Sequence, residues 1–97
     1  MSEEISLVAI VTAKPGTEAQ VQAAIGQVVE PSRAEAGNIS YIPHRDLDNP
    51  ARFVFVERWA SRAALAEHEK TAHFQAFAGT VVPLLAEPLQ IIILQPL

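Results

Sequence analysis

Apolar residues run through EISLVAIVTA, Glu4–Ala13, without alternation, the pattern of a β-strand buried on both faces. KPG then turns the chain. Thr17-Glu18-Ala19-Gln20 has the form of a capping box. Val21, Ala24, Ile25, Val28 and Val29 follow at helical spacing and form one stripe. Pro31 falls late in this helix and predicts a kink or an interruption, and Gly37 fits the residue just past its end. NISYIPHRDL, Asn38–Leu47, predicts a second strand, with Pro43 favouring an edge or a bulge. DNPA supplies a turn, and RFVFVERWA, Arg52–Ala60, a third strand. Ser61 is placed to cap a helix over SRAALAEHEK, and Thr71 a further segment striped with Phe74, Phe77, Ala78, Val81 and Leu85. Pro83 disturbs its end. PLQIIILQPL, Pro88–Leu97, predicts a last strand that is again apolar on both faces.

The order β-α-β-β-α-β is that of an α+β, ferredoxin-like unit, an antiparallel sheet with helices on one face. In such a unit water wets the other face, and strands alternate. The first and last strands here do not alternate. An identical sheet from a second copy is the cheapest cover, which predicts a homodimer.

Length and composition narrow the function classes. Ninety-seven residues predict one domain over 1–97. An apolar fraction of 49% is high for that size and agrees with surface buried beyond the monomer's own core. The net charge of −4 comes with no basic run, so nucleic acid and anionic membrane are poor partners. Without cysteine there is no disulfide framework and no thiolate metal site. The start, MSEE, reads as neither a signal nor a transit peptide, and IIIL is too short to span a bilayer. A cytoplasmic location is the expectation.

Few side chains can carry chemistry. Glu57 shares one strand face with Phe53, Phe55 and Trp59, and an unpaired buried carboxylate costs several kcal/mol, roughly. It is therefore exposed at an edge, paired across the fold, or part of a site. His68 continues the apolar stripe begun by Leu65, three residues earlier. A carboxylate that orients a histidine makes a general base, so Glu57 and His68 are expected to pair. A purely structural bridge from helix to sheet is the alternative. Trp59, Phe55, Phe74 and Phe77 suit either a core or the wall of a pocket for a flat aromatic ligand. Tyr41, His44 and His73 complete the candidate lining, with His73 at the pocket mouth or in solvent. Asp46 and Asp48 belong to turn chemistry. No glycine-rich phosphate loop is present, and a metal set of His44, Glu57 and His68 has no diagnostic spacing. The inventory predicts no cofactor and no metal.

From Ala34 to Phe77 the chain resembles the antibiotic biosynthesis monooxygenase domain family, including its quinol monooxygenase-like members. The matching elements are Gly37, the Ser40-Tyr41 pair, Asp46 before the DNP turn, F-x-F-x-E-x-W, the Ser61 cap, His68 and His73-Phe74. The resemblance implies a dimeric α+β barrel, two ferredoxin-like units packed sheet to sheet, each with a cavity between sheet and helices. It also implies one of several activities: oxygenation without metal, flavin or haem, haem degradation, or isomerisation of a small sugar-derived signal. The positions at which the haem-degrading branch carries Asn, Trp and His are here Ala9, His68 and Ala78, which disfavours haem. The Asn, Tyr and Arg groups of the cofactor-free oxygenase have no clear counterpart here.

The expectation is a cofactor-independent monooxygenase that oxidises a small phenol or hydroquinone with O₂, using His68 and Glu57. A non-catalytic small-molecule binding or stress-response protein, and an isomerase of a small keto sugar using the same pair, are the alternatives. An aromatic pocket favours the oxygenase and a polar one the isomerase.

Overall fold

The computed structural model describes residues 3–97. Its elements are β1 (Ile5–Thr12), α1 (Glu18–Arg33), β2 (Asn38–Arg45), β3 (Arg52–Trp59), α2 (Arg62–Glu69), α3 (Ala72–Val81), a 3₁₀ turn (Val82–Leu84) and β4 (Gln90–Leu94). All pairings are antiparallel, in the sheet order β2-β3-β1-β4. This is the ferredoxin-like α+β arrangement that the sequence predicts.

Register decides which side chains meet the helices. In β1, Ile5, Leu7, Ala9 and Val11 are buried on the helix side and pair with Trp59, Glu57, Phe55 and Phe53 of β3. Tyr41 and Pro43 of β2 lie opposite Glu57 and Phe55 on the same side. Val21, Ile25 and Val28 of α1, Leu65 of α2 and Val81 of α3 close the core over them. The alternate residues, among them Val8, Ile10, Ile42, Val54, Val56 and Ile92, form the other, uncovered face. Ile42, Val56 and Ile92 are 45%, 41% and 49% exposed there. β4 is exposed on both faces along its whole length.

Local signals were realised unevenly. Ser61 Oγ accepts from Ala64 N at 3.1 Å and Thr71 Oγ1 from Phe74 N at 3.2 Å, so both predicted caps form. The capping box does not: Thr17 Oγ1 instead donates to the Lys14 carbonyl at 2.8 Å, holding the KPG turn. α1 continues two residues beyond Pro31 to Arg33. Gly37 is not the helix stop. A Cβ there would collide with the Ala64 Cβ, so the glycine lets the α1–β2 loop lie against α2. Ala60 N donates to the Gly37 carbonyl at 2.8 Å and fixes the same contact. Asp46 and Asn49 work as turn residues, accepting from the backbone N–H of Asp48 and Ala51. Among the described residues, no helix is long and apolar enough to cross a membrane.

Candidate active site

Glu57 lies at the middle of the sheet, in β3 between β1 and β2, and is only 5% exposed. Its partner is its own strand neighbour on the same face: Trp59 Nε1 donates to Glu57 Oε1 at 2.9 Å. Burial, the largest cause, pushes its carboxyl up to about 7. The indole bond opposes that rise, and the charges of Glu35 and Glu69 reinforce it. Near neutral pH Glu57 is therefore divided between acid and carboxylate.

His68 is 2% exposed and sits on the inward stripe of α2, as the helical spacing predicts. The expected pairing of His68 with Glu57 does not form. His68 Nδ1 lies 2.6 Å from Oε2 of Glu35, a residue in the α1–β2 loop. The same oxygen lies 2.7 Å from Nε2 of His73, at the start of α3. One carboxylate oxygen thus accepts from two imidazoles, which selects the Nδ1–H tautomer of His68 and leaves its Nε2 available. The ring is packed on every side: Trp59 is tilted against it at 4.6 Å, with Phe74 and Tyr41 edge-on at 5.0 and 5.6 Å.

A cavity opens beside these groups. Tyr41, Phe55, Glu57, Leu65 and His68 line its depth, and Leu7, Ala9 and Val11 its floor. Phe74 and Phe77 of α3 face Leu89 and Ile91 across the mouth, where burial gives way to partial exposure. Its free volume is about 30 Å³, room for a water or two and far below the ~300 Å³ of a typical ligand pocket. A ring can enter only if the mouth residues move. No Lys or Arg lines it, whereas Glu57, Glu69 and His68 do. Burial, followed by the Glu57 charge, pushes the Tyr41 phenol above its ordinary value, so Tyr41 stays a neutral hydroxyl. The buried Ser32 Oγ beside it has no well-formed partner among the described residues.

The sequence candidates therefore divide. Glu57, His68, Tyr41, Phe55, Phe74 and Phe77 come together around the cavity. Trp59 stands behind them, orienting Glu57 and His68 without lining the space. His73 faces a groove between α1 and α3 and meets the site at its edge, through Glu35 and through its ring, 5.9 Å from that of His68. His44 lies on the opposite, open face of the sheet, because it alternates with Tyr41 and Pro43. It is exposed, with Nδ1 3.3 Å from the Val54 carbonyl. The metal set of His44, Glu57 and His68 is consequently not assembled. Glu35, His68 and His73 instead bring three metal-capable atoms within 4.8 Å of one another. Glu35 was missed because a lone loop carboxylate has no periodicity. Only the topology, which stacks the α1–β2 loop against α2, places it.

Known proteins share this architecture. A Bacillus subtilis protein named "Putative monooxygenase YcnE" is 34% identical over 88 residues, spanning 91% of this chain and 93% of its own. The structure of Rv0793 from Mycobacterium tuberculosis superposes with a TM-score of 0.93 at 30% identity, covering 97% of this chain and 95% of its own. PA3566 from Pseudomonas aeruginosa gives 0.93 at 36% identity, covering 100% and 97%. The family model described as antibiotic biosynthesis monooxygenase matches residues 5–80, from the start of β1 to the last turn of α3. The chain belongs to the antibiotic biosynthesis monooxygenase family.

Proposed function

We propose that the protein is a cofactor-independent monooxygenase acting on a small, electron-rich phenol or hydroquinone. Family membership supports a monooxygenase-type activity in general. The observation that carries the finer reading is the buried His68, held through Nδ1 by Glu35 at the edge of a mostly apolar, aromatic cavity that no Lys or Arg lines.

In this reading His68 Nε2 takes the phenolic proton as the substrate O–H bond breaks. Glu35 stabilises the imidazolium that forms, as carboxylates do behind general bases. A free phenol titrates near pH 10, and bringing it to pH 7 takes about 4 kcal/mol, within reach of a positioned base and one or two hydrogen bonds. The ring anion passes one electron to O₂, and the resulting radical and superoxide combine to form a C–O bond. The peroxide is protonated, and the ring C–H proton is lost from the same carbon as the O–O bond breaks. One oxygen stays on the ring as a quinone carbonyl while the other departs as water, so that the phenolic and C–H hydrogens are the two in the water formed. Phenol plus O₂ thus gives quinone plus water, and the substrate is the only reductant. The protonated fraction of Glu57, at the cavity wall, can supply the proton that the departing oxygen needs. Phe74 and Phe77 swing aside to admit the ring, then close over it and exclude water.

The cavity wall does not favour the isomerase, which needs polar groups for a sugar. A second copy of the chain, seated on the open sheet face, completes the proposed assembly. The function is tested by oxygen consumption with simple hydroquinones and naphthols, with and without EDTA, in the wild type and in His68→Gln. Uptake that survives EDTA and falls with His68→Gln supports the reading. Tight binding of the same rings without oxygen uptake would replace it with a binding protein.

A further inference from the structure

We infer that Glu35, His68 and His73 form a binding site for a divalent transition-metal ion of the zinc type, independent of the oxygenase reading. The donors come from three elements that share no local sequence spacing: the α1–β2 loop, the end of α2 and the start of α3. Their ligand-capable atoms, Oε2, Nδ1 and Nε2, lie within 4.8 Å of one another, with the carboxylate oxygen at 2.6 and 2.7 Å from the two nitrogens. Two imidazoles and one carboxylate are a donor set of zinc and its neighbours, and leave a fourth position for water or an exogenous ligand.

Charge points the same way. The Glu35 side chain is mostly buried, and the hydrogen-bond partners of its carboxylate among the described residues are these two histidines, with no Lys or Arg. The charges of Glu35 and of Glu69 both reach Glu57. This end of the molecule thus gathers three carboxylates around two imidazoles, with no Lys or Arg among the cavity lining, a setting suited to a divalent cation. Access exists as well: His73 lines the groove between α1 and α3, beside Gln20 and Gln27. Around a tetrahedral ion with bonds of about 2.0–2.1 Å, ligand atoms stand roughly 3.3 Å apart. The carboxylate oxygen and the two nitrogens, now at 2.6 and 2.7 Å, must therefore spread by roughly 0.6–0.7 Å. His68 is wedged among aromatic rings, whereas Glu35 in its loop and the partly exposed His73 can make that adjustment.

Occupancy changes His68. A neutral imidazole that gives its Nδ1 lone pair to a metal carries its remaining proton on Nε2. The nitrogen assigned above as the base is then protonated and cannot accept. A bound ion would thus inhibit turnover, and this consequence alone rests on the oxygenase reading.

The test is calorimetric titration of the full-length protein with Zn²⁺ at pH 7.5, with Co²⁺ absorption as the second probe. One equivalent of Zn²⁺ per chain, a tetrahedral Co²⁺ spectrum and a raised Tm are expected. Glu35→Gln and His73→Ala should each weaken binding about tenfold or more, with circular dichroism confirming that both variants fold. ¹⁵N NMR of the zinc-loaded protein should show the His68 proton moved from Nδ1 to Nε2. Absence of binding in the wild type overturns the site. So does binding that both variants retain, which would place the ion elsewhere. These readouts need no turnover, so the site can stand when oxygen uptake fails. If uptake is found but Zn²⁺ does not reduce it, the assignment of Nε2 as the base fails while the site remains.

Discussion

Trp59 donates its indole N–H to the Glu57 carboxylate two residues earlier in the same strand, at 2.9 Å. A tryptophan and a glutamate on one strand face thus satisfy each other at the centre of the sheet. The bond is too little to offset burial, and Glu57 titrates at about 7. Its folded value lies above the unfolded one, so the native state binds the extra proton. Stability attributable to Glu57 is therefore full below about pH 4.5 and is lost as pH rises towards 7. Glu57→Gln keeps an acceptor for Trp59 and removes the titration. We expect it to stabilise the protein at pH 8 by on the order of 3 kcal/mol at most, and to change little at pH 4. Urea unfolding of both proteins at the two pH values measures the difference. An equal stability change at both values would show that Glu57 does not titrate in this window.

His68 and Glu35 should fail together. His68→Gln is expected to lower kcat by about 10²–10⁴, the usual contribution of a general base. Glu35→Gln should lower kcat by about 10–100-fold with KM nearly unchanged, because Glu35 orients the base and does not touch the substrate. The double variant should be no worse than His68→Gln alone. Multiplicative losses in the double variant would mean that Glu35 acts elsewhere.

Gly37 sets how closely α2 approaches the α1–β2 loop, and so where His68 meets Glu35. Gly37→Ala places a methyl group on that of Ala64 and should cost about 1–3 kcal/mol. Ala64→Gly in the same chain should recover much of the loss. Thermal unfolding of the two single variants and the double variant decides the matter, and no recovery would put the strain somewhere else.

The open sheet face should seat a second copy. Val56 lies on it, paired with Val8 and Ile42 in the two adjacent strands. We expect a dimer at micromolar concentration by sedimentation, and a folded monomer from Val56→Asp. A wild type that sediments as a monomer at every concentration would remove the assembly.

The fold was legible because its elements announce themselves locally. Ser61 and Thr71 are capping residues in capping positions, Leu65 and His68 share a helical stripe, and Phe53, Phe55, Glu57 and Trp59 alternate as a strand requires. The site was legible only in part. Alternation puts Glu57 towards the helices, but it cannot say that Trp59 would satisfy it from within the strand. His44 seemed a pocket residue until register put it on the other face. Thr17 and Gln20 form a capping sequence that the KPG turn overrides, since the turn leaves Thr17 at φ −108°, ψ 5°, outside the extended conformation that aims a capping oxygen at the helix N–H groups. Glu35 belongs to no pattern. Its place arises from the α1–β2 loop meeting the end of α2 and the start of α3, and such information is not periodic in a chain.

The interruption between α2 and α3 carries a consequence for spacing. His68 and His73 are five residues apart, and on an uninterrupted helix they would point about 140° away from each other. Thr71 stops one helix and starts the next, with its hydroxyl donating to the His68 carbonyl at 2.7 Å and accepting from Phe74 N at 3.2 Å. That single residue converts two divergent directions into one shared by a common carboxylate. In a relative whose two helices run together as one, histidines at this spacing would diverge, and the same letters would encode a different surface.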